Sequence, residues 1–208
     1  ILIAQDLAFN FLYQANLRLL LQSGAELVFT SPISDLCLPD GDALYIPGGY
    51  PELYAKQLSE NHSYISSLKR FAQQEKPILA ECGGMLYLLD NLTIIEENNQ
   101  QKAFSMAGLL SGNGKMKQKL SAIGQQYAEF EHHLIGQDNS NKQQVRGHSF
   151  HYSTAIIDAS PVTHAQYYSR KNQGEAIYLQ KNLLASYIHW YFPSNAEFFI
   201  SFFSREAL

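Results

Sequence analysis

The segment Leu79-Ala80-Glu81-Cys82-Gly83-Gly84-Met85 concentrates residue types that do covalent chemistry. An apolar stretch runs into a cysteine, then two glycines, then Met85-Leu86-Tyr87-Leu88-Leu89, which favours helix. That is the strand–turn–helix layout of a nucleophile elbow, where a reactive side chain stands on a sharp turn above a sheet. The glycines let the backbone turn and leave room over the sulfur. A thiol at a helix N-terminus is expected to have a lowered pKa and to favour the thiolate. Free cysteine is also among the most buried residue types, so a Cys that merely ends a strand is the competing reading. The strand before it and the helix after it favour the nucleophile.

Two further segments could serve such a nucleophile. In Tyr45-Ile46-Pro47-Gly48-Gly49-Tyr50-Pro51 a glycine pair again follows an apolar strand. Backbone N–H groups turned outward there, together with the N–H of Gly83, could hold a developing oxyanion. Alone, such a pair reads as an ordinary tight turn. In Ser186-Tyr187-Ile188-His189-Trp190-Tyr191-Phe192, His189 ends an apolar strand and could take the thiol proton and return it to a leaving group. Spacing alone leaves His189 open between that role and a hydrogen-bonded structural one. The other histidines are weaker candidates: His62 starts a helix, His132 and His133 lie in a polar strand, His164 sits in a Tyr-rich one, and His148 and His151 flank Ser149-Phe150.

These residues need a scaffold that gathers strand ends. Ile1–Ala4, Leu27–Thr30, Ala43–Ile46 and Pro77–Ala80 are short apolar runs, separated by helices expected near Asn10–Ser23 and Ser63–Gln74. Fully apolar strands spaced by helices predict a mostly parallel sheet flanked by helices, with working groups at the carboxyl ends of its strands. After Asp90 the segments Leu92–Glu96, Ala122–His132, Val145–Ile157, His164–Ser169 and Ala176–Leu179 read as antiparallel strands, with Gln137–Gln144 as an exposed polar loop. A last strand, Leu184–His189, leads to a helix with Ser194 as expected N-cap and Glu197 closing a capping box.

The 208 residues are expected to form one domain, and the 46% hydrophobic content is enough for a full core. A formal charge of -4 without a Lys/Arg cluster gives no footprint for nucleic acid or an anionic membrane. No apolar run approaches the roughly 20 residues that span a bilayer. Cys37 and Cys82 are read as reduced thiols of a cytoplasmic protein. Because the chain opens on Ile1, already within an expected strand, it reads as cut from something longer, with a trimmed natural start as the alternative. Gly112-Asn113-Gly114-Lys115 lacks the spacing and hydroxyl of a phosphate-binding loop, so no ATP binding is expected here.

In this order, the three motifs resemble those of the class I glutamine amidotransferases, whose flavodoxin-like fold has a Cys elbow mid-chain and a base His near the end. More narrowly, the chain is similar to the C-terminal domain of cobyrinate a,c-diamide synthases. The similarity rests on Ala8-Phe9-Asn10-Phe11 with Tyr13 and Asn16-Leu17, Gly24–Val28, Gly48–Tyr54, Ala80–Tyr87, Gly147–Ser153 and Ala185–Phe192. It implies Cys82 as nucleophile, His189 as base, and Gly48, Gly49 and Gly83 at the oxyanion. It implies glutamine as substrate, no cofactor or metal in this domain, and an N-terminal synthetase domain that uses ATP and Mg²⁺ on a cobyrinate-type acceptor. Two departures stand out. Where a triad would place Glu two residues after the His, this chain has Tyr191, which implies a Cys–His dyad. Where relatives often have Glu within the Gly147–Ser153 motif, it has Ser149. The competing readings are an interaction module that has kept only the fold, and a stand-alone Cys hydrolase.

Overall fold

The computed structural model describes residues 1–96, 98–131, 143–169 and 172–204. Strands β1 (Leu2–Ala4), β2 (Val28–Thr30), β3 (Leu44–Ile46) and β4 (Ile78–Glu81) alternate with helices α1 (Gln14–Gln22), α2 (Ala55–Glu60) and α3 (His62–Gln73). Helix α4 (Gly83–Leu88) leaves β4 through Cys82. Then follow β5 (Leu89–Ile95), β6 (Gln101–Ser105), β7 (Leu110–Met116), β8 (Ala122–Phe130), β9 (Gln143–His151), β10 (Ser153–Ile157), β11 (Thr163–Tyr167), β12 (Gln173–Gln180), β13 (Leu183–Ser186), β14 (His189–Trp190) and helix α5 (Ala196–Phe203).

These strands build an α/β fold on a mixed ten-stranded sheet of order β14-β9-β8-β11-β12-β13-β4-β3-β1-β2. The run from β13 to β2 is parallel, and the strands beyond β13 pair antiparallel. Alternation explains why the parallel strands are apolar throughout. Leu2, Ala4, Leu44, Ile46, Ile78 and Ala80 point into one core with α2, α3 and α4. Their neighbours Ile3, Tyr45 and Leu79 point into a second core with Leu17 and Leu20 of α1 and Phe198, Phe199, Phe202 and Phe203 of α5. A strand buried on both faces has no position for a polar side chain without a partner. A second sheet of order β10-β7-β5-β6 packs on the first core through Leu89, Leu92 and Leu110.

Several boundaries differ from the sequence expectation. Helix α1 begins only at Gln14, because the Phe11 N–H is donated to Gly48 C=O (3.1 Å), which holds Phe11 in a bridge to the β3 loop. The stretch Val145–Ile157 is two strands, not one. His151 pairs with Ala122 in the large sheet, and Ser153 pairs with Met116 in the small one. The pattern of alternation persists across Tyr152, so it cannot show that the partner strand changes there. Leu184–His189 is also two strands. Ser186 Oγ accepts the Ile188 N–H (3.1 Å), a local turn that bends the chain off the sheet before His189. The N-cap of α5 is Asn195, whose side chain accepts from Phe198 N–H (3.1 Å); Ser194 instead accepts from Arg146 N–H (3.0 Å). His132, His133 and positions 137–142 of the expected polar loop lie outside the described residues. Gln143 and Gln144 belong to β9. Gly112–Lys115 lies within β7, an extended strand and not a phosphate-binding turn.

Helix α4 crosses β3 closely: a Cβ on Gly84 would sit 2.3 Å from Ile46 C=O. A backbone carbonyl cannot yield as a flexible side chain does. Gly84→Ala is therefore expected to destabilise the fold by roughly 1–3 kcal/mol, measured as a lowered denaturation midpoint. An unchanged midpoint would contradict this packing.

Candidate active site

Cys82 sits between β4 and α4 with φ +46° and ψ −105°, a conformation that few non-glycine residues adopt. The surrounding hydrogen bonds hold it there. Its N–H is donated to Ser186 C=O (2.8 Å) and its C=O accepts from Leu86 N–H (3.0 Å). The strained turn lies at the carboxyl end of β4 and opens into α4, the placement of the elbow motif.

The glycines explain how the other candidates approach. A Cβ on Gly83 would lie 2.8 Å from Pro51 Cδ and 3.0 Å from Gly49 N. A Cβ on Gly48 would lie 2.1 Å from Cε1 of the His189 ring, and one on Gly49 would lie 2.0 Å from Ala8 C=O. The Gly48-Gly49 turn therefore touches the elbow on one side and the imidazole on the other. Tyr50 N–H is donated to Ala8 C=O (2.8 Å), and among the described residues Gly49 N–H has no acceptor. An amide free for a ligand is what an oxyanion site needs.

His189 stands on β14, the edge strand six places from β4 in the sheet order, not on β13 beside it. The sheet curls so that this edge returns to the end of β4. The imidazole is almost fully buried, packed on Phe11 (ring centroids 4.3 Å) and near His148 (5.2 Å), whose Nδ1 is hydrogen-bonded to Tyr13 OH (2.8 Å). Nδ1 of His189 has no hydrogen-bond partner among the described residues. Tyr191 is half exposed and packs edge-on against Tyr13. It supplies no acid to the imidazole.

The backbone beside His189 is gripped instead. Trp190 N–H is donated to Glu81 Oε1 (3.0 Å), and Trp190 C=O accepts from Asn16 Nδ2 (2.8 Å). Asn16 Oδ1 accepts Phe192 N–H (2.9 Å), and Glu81 Oε2 accepts Tyr45 O–H (2.8 Å). Glu81 and Asn16 are both wholly buried. Sequence reasoning missed them, although a carboxylate inside an otherwise apolar strand was a usable signal, because Glu is almost never fully buried without partners. A second polar group forms around His151, one of the weaker candidates, and its partners Glu175 and Tyr187 carried no signal in the sequence. His151 hydrogen-bonds Ser153 C=O through Nδ1 (2.9 Å) and Glu175 through Nε2 (3.1 Å), and stacks on Tyr187 (3.7 Å). Ser149 is buried and accepts from Gln126 Nε2 (2.6 Å), so at this position the side chain serves an internal network.

The expected low thiol pKa is corrected. Burial pushes the Cys82 thiol up to about 12, against the lowering effect of the Gly83 N–H, and the charges of Glu52, Glu81 and Glu175 add to the rise. Burial likewise pushes His189 down to about 3, helped by His148 and His151. A six-residue α4 does not offset loss of water from the sulfur. The resting pair is thus a neutral thiol and a neutral imidazole. Burial also raises the Glu81 carboxyl to about 8, against the hydrogen bonds from Trp190 and Tyr45.

With this geometry in place, comparison with known proteins is informative. Residues 1–197 match the model of the CobB/CobQ-like glutamine amidotransferase domain. The chain belongs to that family. A hydrogenobyrinate a,c-diamide synthase of Stutzerimonas stutzeri is 44% identical over 193 residues, 93% of this chain and 42% of the relative. A cobyrinate a,c-diamide synthase of Herminiimonas arsenicoxydans is 41% identical over 195 residues, 93% of this chain and 41% of the relative. The chain spans about two fifths of the length of these relatives. Among solved structures, PurLQS from Thermotoga maritima aligns with TM-score 0.59 at 14% identity, covering 97% of this chain and 94% of that one. A glutamine amidotransferase from the same organism aligns with TM-score 0.56 at 13% identity, covering 90% and 74%. These structures share the amidotransferase fold. Among the described residues of this amidotransferase domain, no group of three or more His, Cys, Asp and Glu is placed to hold a metal ion, and no helix is long and apolar enough to cross a membrane.

The neutral pair has a measurable consequence. Because a raised thiol pKa leaves little thiolate at neutral pH, alkylation of Cys82 by iodoacetamide is expected to accelerate about tenfold per pH unit from pH 6 to 9 without a plateau. Exposed Cys37 is replaced by Ser so that only one thiol reports. A rate already level below pH 7 would mean a thiolate–imidazolium pair and contradict this electrostatic picture.

Proposed function

We propose that this domain hydrolyses glutamine to glutamate and ammonia, with Cys82 as nucleophile and His189 as its base. The observation that carries this reading is the shared contact of the elbow and the imidazole with the Gly48-Gly49 turn. With the thiol held neutral, its proton must leave during attack, and the unprotonated His189 imidazole, seated against Gly48 beside the elbow, is the group we assign to accept it. The Cys82 sulfur forms a bond to the side-chain carboxamide carbon of glutamine. The carbonyl electron pair moves to oxygen, facing the N–H groups of Gly49 and Gly83. Collapse breaks the C–N bond, and ammonia leaves with the proton held by His189, giving a glutamyl thioester. Water then gives a proton to His189 and its hydroxyl to the thioester carbon. The C–S bond breaks, and the imidazole returns the proton to the sulfur.

The names and greater length of the relatives support an extended reading. In it, the ammonia serves an ATP- and Mg²⁺-dependent synthetase domain, N-terminal to this one, that amidates the a and c carboxylates of cobyrinate or a related tetrapyrrole. The chain's own contribution is then a single amidotransferase domain without cofactor, working in the cytoplasm where Cys82 stays reduced. Gly112–Lys115, as part of strand β7, offers ATP no phosphate-binding turn.

Purified protein supplied with glutamine is expected to release glutamate, and Cys82→Ser is expected to reduce that rate by about 10³-fold or more. A glutamine-like chloroketone should label Cys82 and leave Cys37 unmodified, including under conditions where turnover is slow. Unchanged glutamate release in Cys82→Ser, or labelling elsewhere, would overturn the assignment.

A further inference from the structure

We infer that Glu81 and Asn16 are positioning residues for His189, fixing its imidazole by gripping the peptide groups on either side of Trp190. The inference rests on His189 being the base of the proposed reaction, but the grip itself is geometric. Strand β14 is two residues long, lies at the edge of the sheet and, among the described residues, pairs only with β9. Among the described residues no acid is bonded to the imidazole: its Nδ1 lacks a partner, and Tyr191 stands where a triad would place Glu. Orientation then comes from the packing of Phe11 and Gly48 on the ring and from the backbone that carries it.

Glu81 and Asn16 hold three consecutive peptide groups, and between their contacts Tyr191 N–H is donated to Arg146 C=O (2.9 Å). Glu81 takes Trp190 N–H, Asn16 gives to Trp190 C=O, and Asn16 takes Phe192 N–H. Tyr45 O–H fixes the second oxygen of Glu81. Glu81 also directly precedes Cys82, so one side chain ties the elbow to the segment carrying the imidazole. Glu81 thus adds a side-chain link between elbow and imidazole beside the backbone one, in which Ser186 accepts Cys82 N–H at its C=O and Ile188 N–H at its Oγ. Burying a carboxyl is costly, and an apolar residue of similar volume is often no less stable in such a place. A role in placement accounts for its presence better than a role in stability.

The test uses Glu81→Gln, Glu81→Leu and Asn16→Leu. It measures glutamine turnover together with the nuclear Overhauser contact between the His189 and Phe11 rings, whose centroids lie 4.3 Å apart. Thermal melts identify the folded variants. Glu81→Gln keeps an acceptor for Trp190 N–H, so kcat should stay within about threefold and the ring contact should persist. Glu81→Leu should lower kcat about 100-fold with KM changed less than about threefold, the signature of a misplaced base, and should lose the ring contact. If Glu81→Leu does not fold, Asn16→Leu is read in the same way. Wild-type kcat in a folded Leu variant would overturn the inference, as would a fall in kcat with the ring contact intact. An equal loss in Glu81→Gln would do so too, since it would point to the charge and not the grip. If the wild-type protein neither turns over glutamine nor labels at Cys82, the proposed function fails. The ring contact in the Leu variants then decides the positioning claim alone.

Discussion

A methyl group on Gly48 would overlap the His189 ring at 2.1 Å, and one on Gly49 would overlap Ala8 C=O at 2.0 Å. The site depends on that absence of side chains. The turn after β3 runs through a gap too narrow for a Cβ, and so brings bare peptide groups between the elbow and the imidazole. Other features follow from the same crowding. Helix α1 starts late because Phe11 is committed to Gly48, and Phe11 then covers the imidazole. Curling of the sheet returns β14 to the end of β4, beside the tight turn at Cys82.

Crowding also decides the electrostatics. Excluding water from the sulfur and the imidazole disfavours both charged forms, and it outweighs the Gly83 N–H that would stabilise a thiolate. Three carboxylates around Cys82 act in the same direction. In the proposed reaction the proton therefore leaves the sulfur during attack, not before it. The buried Glu81 extends the logic. Its raised pKa means that the folded state holds a proton that the unfolded chain releases above about 4.5. Its contribution to stability is therefore fully present below that value and is lost as pH rises toward about 8.

Much of this was legible in the residues, for physical reasons that differ from place to place. The parallel strands were readable because both faces are buried, which leaves an uninterrupted apolar run at Leu44–Ile46 or Ile78–Ala80. Helix α3 was readable because Ile65, Leu68 and Phe71 fall on one buried face. The elbow was readable because Cys-Gly-Gly joins a strand to a helix with no linker. What escaped were features set by a distant partner. Nothing local marks Tyr152 as the point where a strand changes sheets, or shows that Ser186 bends the chain before His189. Asn195 displaces Ser194 as cap because Ser194 is engaged by Arg146 of β9. The grip on Trp190 joins positions 16, 81 and 190, which no spacing rule connects.

The claim at the centre is that the Cys82 sulfur and the His189 imidazole work on one carbonyl beside the Gly48-Gly49 turn. The most direct measurement is a crystal structure of the protein alkylated at Cys82 by a glutamine-like chloroketone. The account predicts an imidazole nitrogen within about 4 Å of the sulfur, and the adduct's carbonyl oxygen facing the N–H groups of Gly49 and Gly83 at about 3 Å. An adduct whose oxygen points to solvent, with the His189 ring turned away behind Phe11, would contradict it.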